Sequence, residues 1–514
     1  MEESSEETGK GSGLISNLAL IGGLVVSLLF VLLVDLSPGN PAVTRTAAVA
    51  LLMAIWWITE AVPLAITSLL PLILFPTLGI MSGNTVAPLY LNNIIFLFIG
   101  GFLVALAMQR WGLHKRIALR ILLWFGIRPR GILLGLMVAA AFMSMWISNT
   151  ATTMMMLPIV FAIVLNLEEA VGKSAVKKYA VAVLLAIAYG ASIGGIATLV
   201  GTPPNLAFVR ILDISFVNAP NITFTTWMML AFPISVVLLI FVWWLLVVFY
   251  CPKKSEFKGV DTELFKKQYR DLGPLLFEEK VVLVDFILLA LLWLSRETLT
   301  IGNFTIPGWS QLFGKPNYID DGTVAITMAF LLFLVPAKRQ GFSRVMDWKA
   351  VTKLPWGIVL LIGGGFALAS AFKESGLSMW FCNQLQSAGT LPPIVLIAII
   401  CFMMTFLTEM TSNTATAQML LPILASLAVA VKMNPLLLMI PGTISCSCAF
   451  MLPVATPPNA IVFGTERLRI WDMARTGFLI NLFGVVLVTL VMYFWGQTVF
   501  GIDVTQFPDW AVIK

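Results

Sequence analysis

The chain has 514 residues, of which 59% are hydrophobic and 11% charged, with a mean hydropathy of +0.94 and a formal net charge of +6. A soluble domain carries about 25% charged residues, so this composition excludes a soluble protein and describes an integral membrane protein, counted in spans of about 20 residues each. The five cysteines form no CxxC pair and no zinc spacing and read as small packing residues; the positive charge is informative through where it falls along the chain.

Taken in chain order, "MEESSEETGKGSG" is acidic and polar, unlike the basic leader of a signal peptide. Residues 1–13 are expected to be a polar tail, and the first apolar run stays as a membrane helix. Apolar runs near 14–36, 43–61, 64–80, 92–109, 179–200, 226–250, 281–296, 322–337, 355–372, 436–454 and 477–500 predict eleven spans. Two more runs, 131–167 and 391–431, are too long for one crossing and too short for two with a loop. Each is predicted to be a re-entrant hairpin that returns to the side it left.

With the N-terminus in the cytoplasm, this count places 110–130, 168–178, 251–280, 338–354 and 464–476 on the cytoplasmic side. These segments and Lys10 hold 25 of the 32 lysines and arginines. Positive residues concentrate inside, and one span more or fewer would scatter them. The C-terminus is then extracytoplasmic, in a multi-pass protein of the plasma membrane.

The count also makes two units, spans two to six and seven to eleven, each with five spans and one hairpin. An odd number inverts the second copy, so the hairpins should enter from opposite sides and meet near the midplane, an architecture of secondary transporters. Residue identity supports the repeat. "SNTATTMMMLPI" from Ser148 and "SNTATAQMLLPI" from Ser412 share nine of twelve positions, and each is followed by a second shared signature, "GTPPN" at 201–205 and "ATPPN" at 455–459. Two consecutive prolines cannot continue a helix, so each TPPN is expected to break one.

A break inside the membrane frees backbone groups that hydrocarbon cannot satisfy, and such backbone survives where it lines a polar cavity or binds something. Carbonyls and Ser/Thr hydroxyls suit a small hard cation, and helix N-termini suit an anion. Ser144 lies one turn before Ser148, and Thr408 one turn before Ser412, which aims one extra hydroxyl at each tip.

With paired SNT tips, paired TPPN breaks and eleven spans with two hairpins, nearly the whole chain resembles the divalent anion/sodium symporters, carriers of dicarboxylates, citrate or sulfate. The resemblance implies an all-α polytopic fold of inverted repeats, a homodimer, and an elevator in which a transport domain moves against a scaffold. The scaffold would be 14–130 and 281–390, the transport domain 131–250 and 391–514, and 251–280 a cytoplasmic linker. It places one sodium ion among Ser144, Ser148, Asn149 and Gly201 and a second among Thr408, Thr411, Ser412, Asn413 and Ala455. Substrate carboxylates would be held by Asn149, Thr150, Asn413 and Thr414, with Thr202 and Pro457 close by. The implied function is sodium-coupled transport of a C4-dicarboxylate such as succinate, or of citrate; the alternative is a sodium-independent dicarboxylate exchanger or a sulfate carrier of the same fold.

Other polar residues carry weaker signals. Glu409, an intramembrane carboxylate, reads either as a structural acceptor or as a proton-sensitive modulator, and its first-copy counterpart is Met145. Glu60 and Asp285 are expected at helix ends or scaffold contacts. His114, the only histidine, lies in the amphipathic stretch "RWGLHKRIALRI", read as an interfacial surface helix, as is "KESGLSMWFCNQLQ" from Lys373. Asn221 and Asn303 begin glycosylation sequons on the outer side. One histidine, no metal-ligand cluster and no Ser/His/Asp set argue against an enzyme, and nothing suggests a nucleic-acid partner.

Overall fold

The computed structural model describes residues 9–126, 128–251, 263–301, 304–504 and 506–512. Most of the N-terminal tail, part of the 251–280 linker and Asn303 lie outside them. The described chain is helical apart from one short antiparallel pair, Leu299–Ile301 with Phe304–Ile306. Among the described residues nine helical stretches are long and apolar enough to cross a membrane, and five shorter apolar helices accompany them.

Both hairpins form where they are expected. The first consists of Pro129–Ser144 and Asn149–Val171, the second of Pro393–Thr408 and Asn413–Ala430. Each incoming arm begins at a proline, whose fixed φ suits a first helical position. Each incoming arm has 16 residues, about 24 Å at 1.5 Å per residue, short of a hydrocarbon core of roughly 30 Å; the returning arms are longer, at 23 and 18 residues. The ends of each hairpin lie together, as a return to one side requires. Tyr179, just past the first hairpin, donates to the carbonyl of Pro129 at 2.8 Å, and a Cβ on Gly389, before the second, would sit 3.6 Å from Cα of Val431, after it.

The basic segments gather on one face. Arg110 pairs with Asp347 at 2.6 Å, Arg116 pairs with Glu279 at 3.1 Å, and Glu278 accepts from the amides of Lys338 and Arg339 at 2.6 and 2.8 Å. Arg467 pairs with Glu168 at 2.5 Å. Trp243 donates to the Arg130 carbonyl at 3.1 Å, and Tyr250 to that of Asp472 at 3.2 Å. Segments expected on the other side are likewise tied to each other: Asn40 to Ser375 at 3.0 Å, Lys373 to Ile214 at 2.9 Å and Asn221 to Glu297 at 2.9 Å. A wrong parity in the span count would have mixed the two groups.

Lys173–Ile196 is the buried centre of the first unit, and its 18-residue apolar window is buried throughout. Lipid gives little hydrophobic drive for helices to associate, so close approach of small residues takes its place. The run "AIAYGASIGGIA" provides it: a Cβ on Gly190 would lie 2.9 Å from the Met137 carbonyl oxygen in the incoming arm.

Four details differ from the sequence reading. The third span is broken at Ser68–Leu69 into Leu64–Thr67 and Leu70–Thr77; Ser68 turns its hydroxyl back onto Leu64 at 2.7 Å, while its carbonyl accepts from Tyr90 at 2.6 Å. Residues 203–215, which the predicted spans 179–200 and 226–250 leave between them, form the buried helix Pro203–Ser215 after the fifth span. Asp285 lies in the interior of Phe277–Leu294, buried with Oδ2 lacking a protein partner, so of the two expected places it does not take the helix end. His114 is buried, not superficial: helix Leu113–Phe125 turns it inward, where Nδ1 meets the Met108 carbonyl at 2.9 Å. Glu60 does end a helix, as the left-handed C-cap of Pro41–Thr59.

Candidate functional site

Each TPPN stands at a break. Lys173–Ile196 stops, the chain unwinds through 197–202, and Pro203–Ser215 begins with Thr202 as its N-cap. In the second copy Leu436–Cys446 unwinds and Pro457–Phe463 begins with Thr456 as N-cap. The prolines start the second half-helix, where a missing N–H costs nothing; they do not kink a continuous one. The asparagine that closes each motif then turns back onto the freed carbonyls. Asn205 Nδ2 donates to Gly195 at 3.1 Å and Thr198 at 2.7 Å, and Asn459 Nδ2 donates to Ala449 at 3.3 Å and Leu452 at 3.0 Å. Sequence reasoning quoted both asparagines without a role; their position after a helix break was the available signal.

The SNT tips are built alike. Buried Ser144 donates from Oγ to Asn149 Oδ1 at 2.5 Å, and buried Thr408 bonds Asn413 Oδ1 at 2.7 Å. The extra hydroxyl one turn upstream therefore positions the asparagine of its own tip in both copies. Ser148 caps Asn149–Val171, accepting from Ala151 at 3.2 Å. Ser412 occupies the matching N-cap, and Thr411 bonds the Leu407 carbonyl at 3.1 Å and lies against the Thr416 hydroxyl. Ser148, Asn149, Thr150, Ser412 and Asn413 are half-buried, so the tips remain reachable while their supports are closed; Thr414 is buried.

Backbone oxygens complete the first cluster. A Cβ on Gly195 would lie 2.5 Å from Asn149 Oδ1, and one on Gly201 would lie 2.6 Å from the Gly195 oxygen and 3.0 Å from that of Ser144. Glycine at both positions lets the unwound backbone and the tip close up, bringing the Asn149 Oδ1, Gly195 and Ser144 oxygens together as acceptors of the kind a hard cation takes. The loop is held by Thr198, which donates to the Met145 carbonyl at 2.5 Å and accepts from the Gly201 amide at 3.1 Å. In the second copy Thr408 Oγ1 also reaches the Cys446 carbonyl at 2.9 Å. Ala455 and Thr202 are buried and Pro457 is exposed at the start of its helix.

Where the first copy uses Thr198, the second uses Glu409. Its carboxylate accepts from the amides of Phe450, Met451 and Leu452 at 2.7, 2.9 and 3.0 Å and from Asn481 at 2.7 Å. Between the two readings left open, the geometry makes Glu409 the acceptor that secures the second break. Gln418 escaped sequence reasoning: one turn beyond Thr414, it is buried against Gly365 with neither amide atom bonded to protein.

The two copies interlock. Pro457–Phe463 packs on Asn149–Val171 of the other hairpin, and Pro203–Ser215 packs on Asn413–Ala430. Tyr189 of the first unit donates to the Phe450 carbonyl in the second break at 2.8 Å. Two broken helices and two hairpins thus form one body with its polar tips inside it.

Residues 16–502 match the family model described as the sodium:sulfate symporter transmembrane region. The chain belongs to the divalent anion/sodium symporter family. Among curated members, it is 44% identical over 497 residues to the sodium-dependent dicarboxylate transporter SdcS of Staphylococcus saprophyticus, covering 95% of this chain and 93% of that one. It is likewise 44% identical over 469 residues to SdcS of Staphylococcus aureus, covering 89% and 87%. Among solved structures, the YdaH transporter of Alcanivorax borkumensis aligns with a TM-score of 0.56 at 13% identity, over 95% of this chain and all of that one; this likeness concerns the fold alone. The matched range includes both SNT tips and both TPPN segments, which build the interlocked body described above.

Proposed function

We propose that this family member is a sodium-coupled transporter of C4-dicarboxylates such as succinate, or of citrate. The observation that carries the reading is the duplicated tip geometry, an asparagine fixed by a hydroxyl one turn upstream in each hairpin. The names of the two staphylococcal relatives support the cargo. One sodium ion would sit among Ser144, Ser148, Asn149 and Gly201, the other among Thr408, Thr411, Ser412, Asn413 and Ala455. Asn149, Thr150, Asn413 and Thr414 would hold the carboxylates, flanked by Thr202 and Pro457. The N-termini of the Asn149, Pro203 and Asn413 helices contribute partial positive charge.

A dianion ordinarily calls for arginine or lysine, and neither tip contains one. In this reading the sodium ions provide the positive charge, so the substrate site forms only when they are bound. A carrier holding only ions or only anion is then disfavoured from moving. The protein works as a homodimer with its N-terminus cytoplasmic and C-terminus extracytoplasmic, and the interlocked body moves as an elevator against 14–130 and 281–390. The gathering of basic segments on one face supports that orientation.

Proteoliposomes with an inward sodium gradient are expected to accumulate radiolabelled succinate at least tenfold faster than with potassium in place of sodium. Trans-stimulation by internal dicarboxylate without sodium would instead identify an exchanger. Sulfate uptake that succinate does not inhibit would identify a sulfate carrier.

A further inference from the structure

Away from the tips, a cleft of about 530 Å³ opens on the face that carries the basic segments, between the start of Lys173–Ile196, the end of Phe224–Tyr250 and the start of Ile470–Val491. Lys177, Lys178, Arg469 and Arg475 line it. Among the described residues none of the four joins an ion pair. The one carboxylate in the wall, Asp472, is engaged by the Arg469 amide at 3.3 Å.

This crowding of cations is unfavourable by itself. The lysines lie near the N-terminus of one helix and Arg469 immediately precedes another, both ends that already carry partial positive charge and favour anions. Yet the walls are fixed: Arg475 stacks over Phe249 with its guanidinium carbon 4.6 Å from the ring centre, and Tyr250 bonds the Thr476 hydroxyl at 2.8 Å. A cleft with four cations to one carboxylate, at the N-terminus of Ile470–Val491, is suited to a phosphate-bearing anion.

The surface below the cleft distinguishes the source. Trp471 at the rim is 72% exposed, and Phe478, two turns along the same helix, is exposed with it. Trp244 and Val248, one turn apart on the neighbouring helix, are exposed too. Exposed aromatic and aliphatic side chains leading away from a basic cleft fit acyl chains under a charged headgroup. We infer that this cleft holds the phosphodiester headgroup of an anionic phospholipid, with its chains along Trp244, Val248 and Phe478. The site is independent of the transport reading and uses none of the tip residues.

Native mass spectrometry of the purified full-length protein, with phosphatidylglycerol, phosphatidylcholine or inorganic phosphate added, tests it. Phosphatidylglycerol adducts are expected to persist at collision energies that strip phosphatidylcholine. The triple variant Lys178→Gln/Arg469→Gln/Arg475→Gln should bind phosphatidylglycerol about a hundredfold more weakly, since each cation near an anionic lipid is worth roughly a fivefold change. If the triple variant does not fold, Lys177→Gln/Lys178→Gln, confined to exposed positions, should still lose at least tenfold. Equal retention of the two lipids, or undiminished phosphatidylglycerol binding in the variants, would overturn the inference. Displacement of phosphatidylglycerol by inorganic phosphate would also overturn it, by assigning the cleft to a soluble anion.

Discussion

Asn149→Ala and Asn413→Ala are each expected to reduce sodium-driven succinate uptake by about tenfold to a hundredfold, the effect of losing one hydrogen bond to a charged group. Each asparagine presents an oxygen already fixed by Ser144 or Thr408; in the proposed site that oxygen faces the cation while Nδ2 of the same amide donates to the carboxylate. Its removal weakens both, so the sodium concentration giving half-maximal uptake should rise together with the KM for succinate. A purely packing role would leave sodium dependence unchanged. The double variant should be inactive while remaining monodisperse in detergent, because Asn149 and Asn413 are only half-buried and their truncation leaves the helix contacts between the two copies in place. Initial-rate uptake at varied sodium and succinate checks all three points.

Glu409→Ala is expected to act through stability, and strongly. The carboxylate accepts from three consecutive amides and the Asn481 side chain, in a buried to half-buried break. Each buried donor left without a partner costs about 1–3 kcal/mol, and the total approaches a large part of a typical folding free energy of roughly 5–15 kcal/mol. The variant should aggregate on solubilisation or melt far below the wild type. Glu409→Gln keeps one acceptor oxygen but places an amide NH₂ among donors, so it should melt in between. The second-copy Thr408→Val, which removes a tip hydroxyl and its contact with the Cys446 carbonyl but leaves the three break amides held by Glu409, should lose uptake with a smaller shift in melting temperature. Thermal denaturation followed by a thiol-reactive dye, alongside uptake, separates the two kinds of damage.

What the sequence made legible follows from which forces are local. Hydropathy and the placement of lysine and arginine gave the hairpins and the parity of the spans, because a wrong parity moves whole segments across the bilayer. The prolines of TPPN gave the breaks, because a missing N–H acts wherever it stands. Other features depended on partners far away in sequence. Glu409 could be recognised as an intramembrane carboxylate, but its role appeared only with the amides of Phe450 to Leu452 some forty positions later. His114 sits in a stretch whose charge suggests a surface, and only the turn at Gly112 and the nearby Met108 carbonyl make it buried. The helix Pro203–Ser215 was hidden behind the prolines that begin it, since the same residues that end one helix are suited to start the next.

The central claim is that sodium creates the anion site at the paired tips. Equilibrium binding of succinate to the purified protein, measured by isothermal titration calorimetry in sodium and then in potassium at equal ionic strength, tests it most directly. The account predicts a saturable heat in sodium, an affinity that rises with sodium concentration, and no detectable binding in potassium. Succinate binding of equal affinity in both salts would contradict it, and the positive charge that holds the dianion would have to come from somewhere other than the ions.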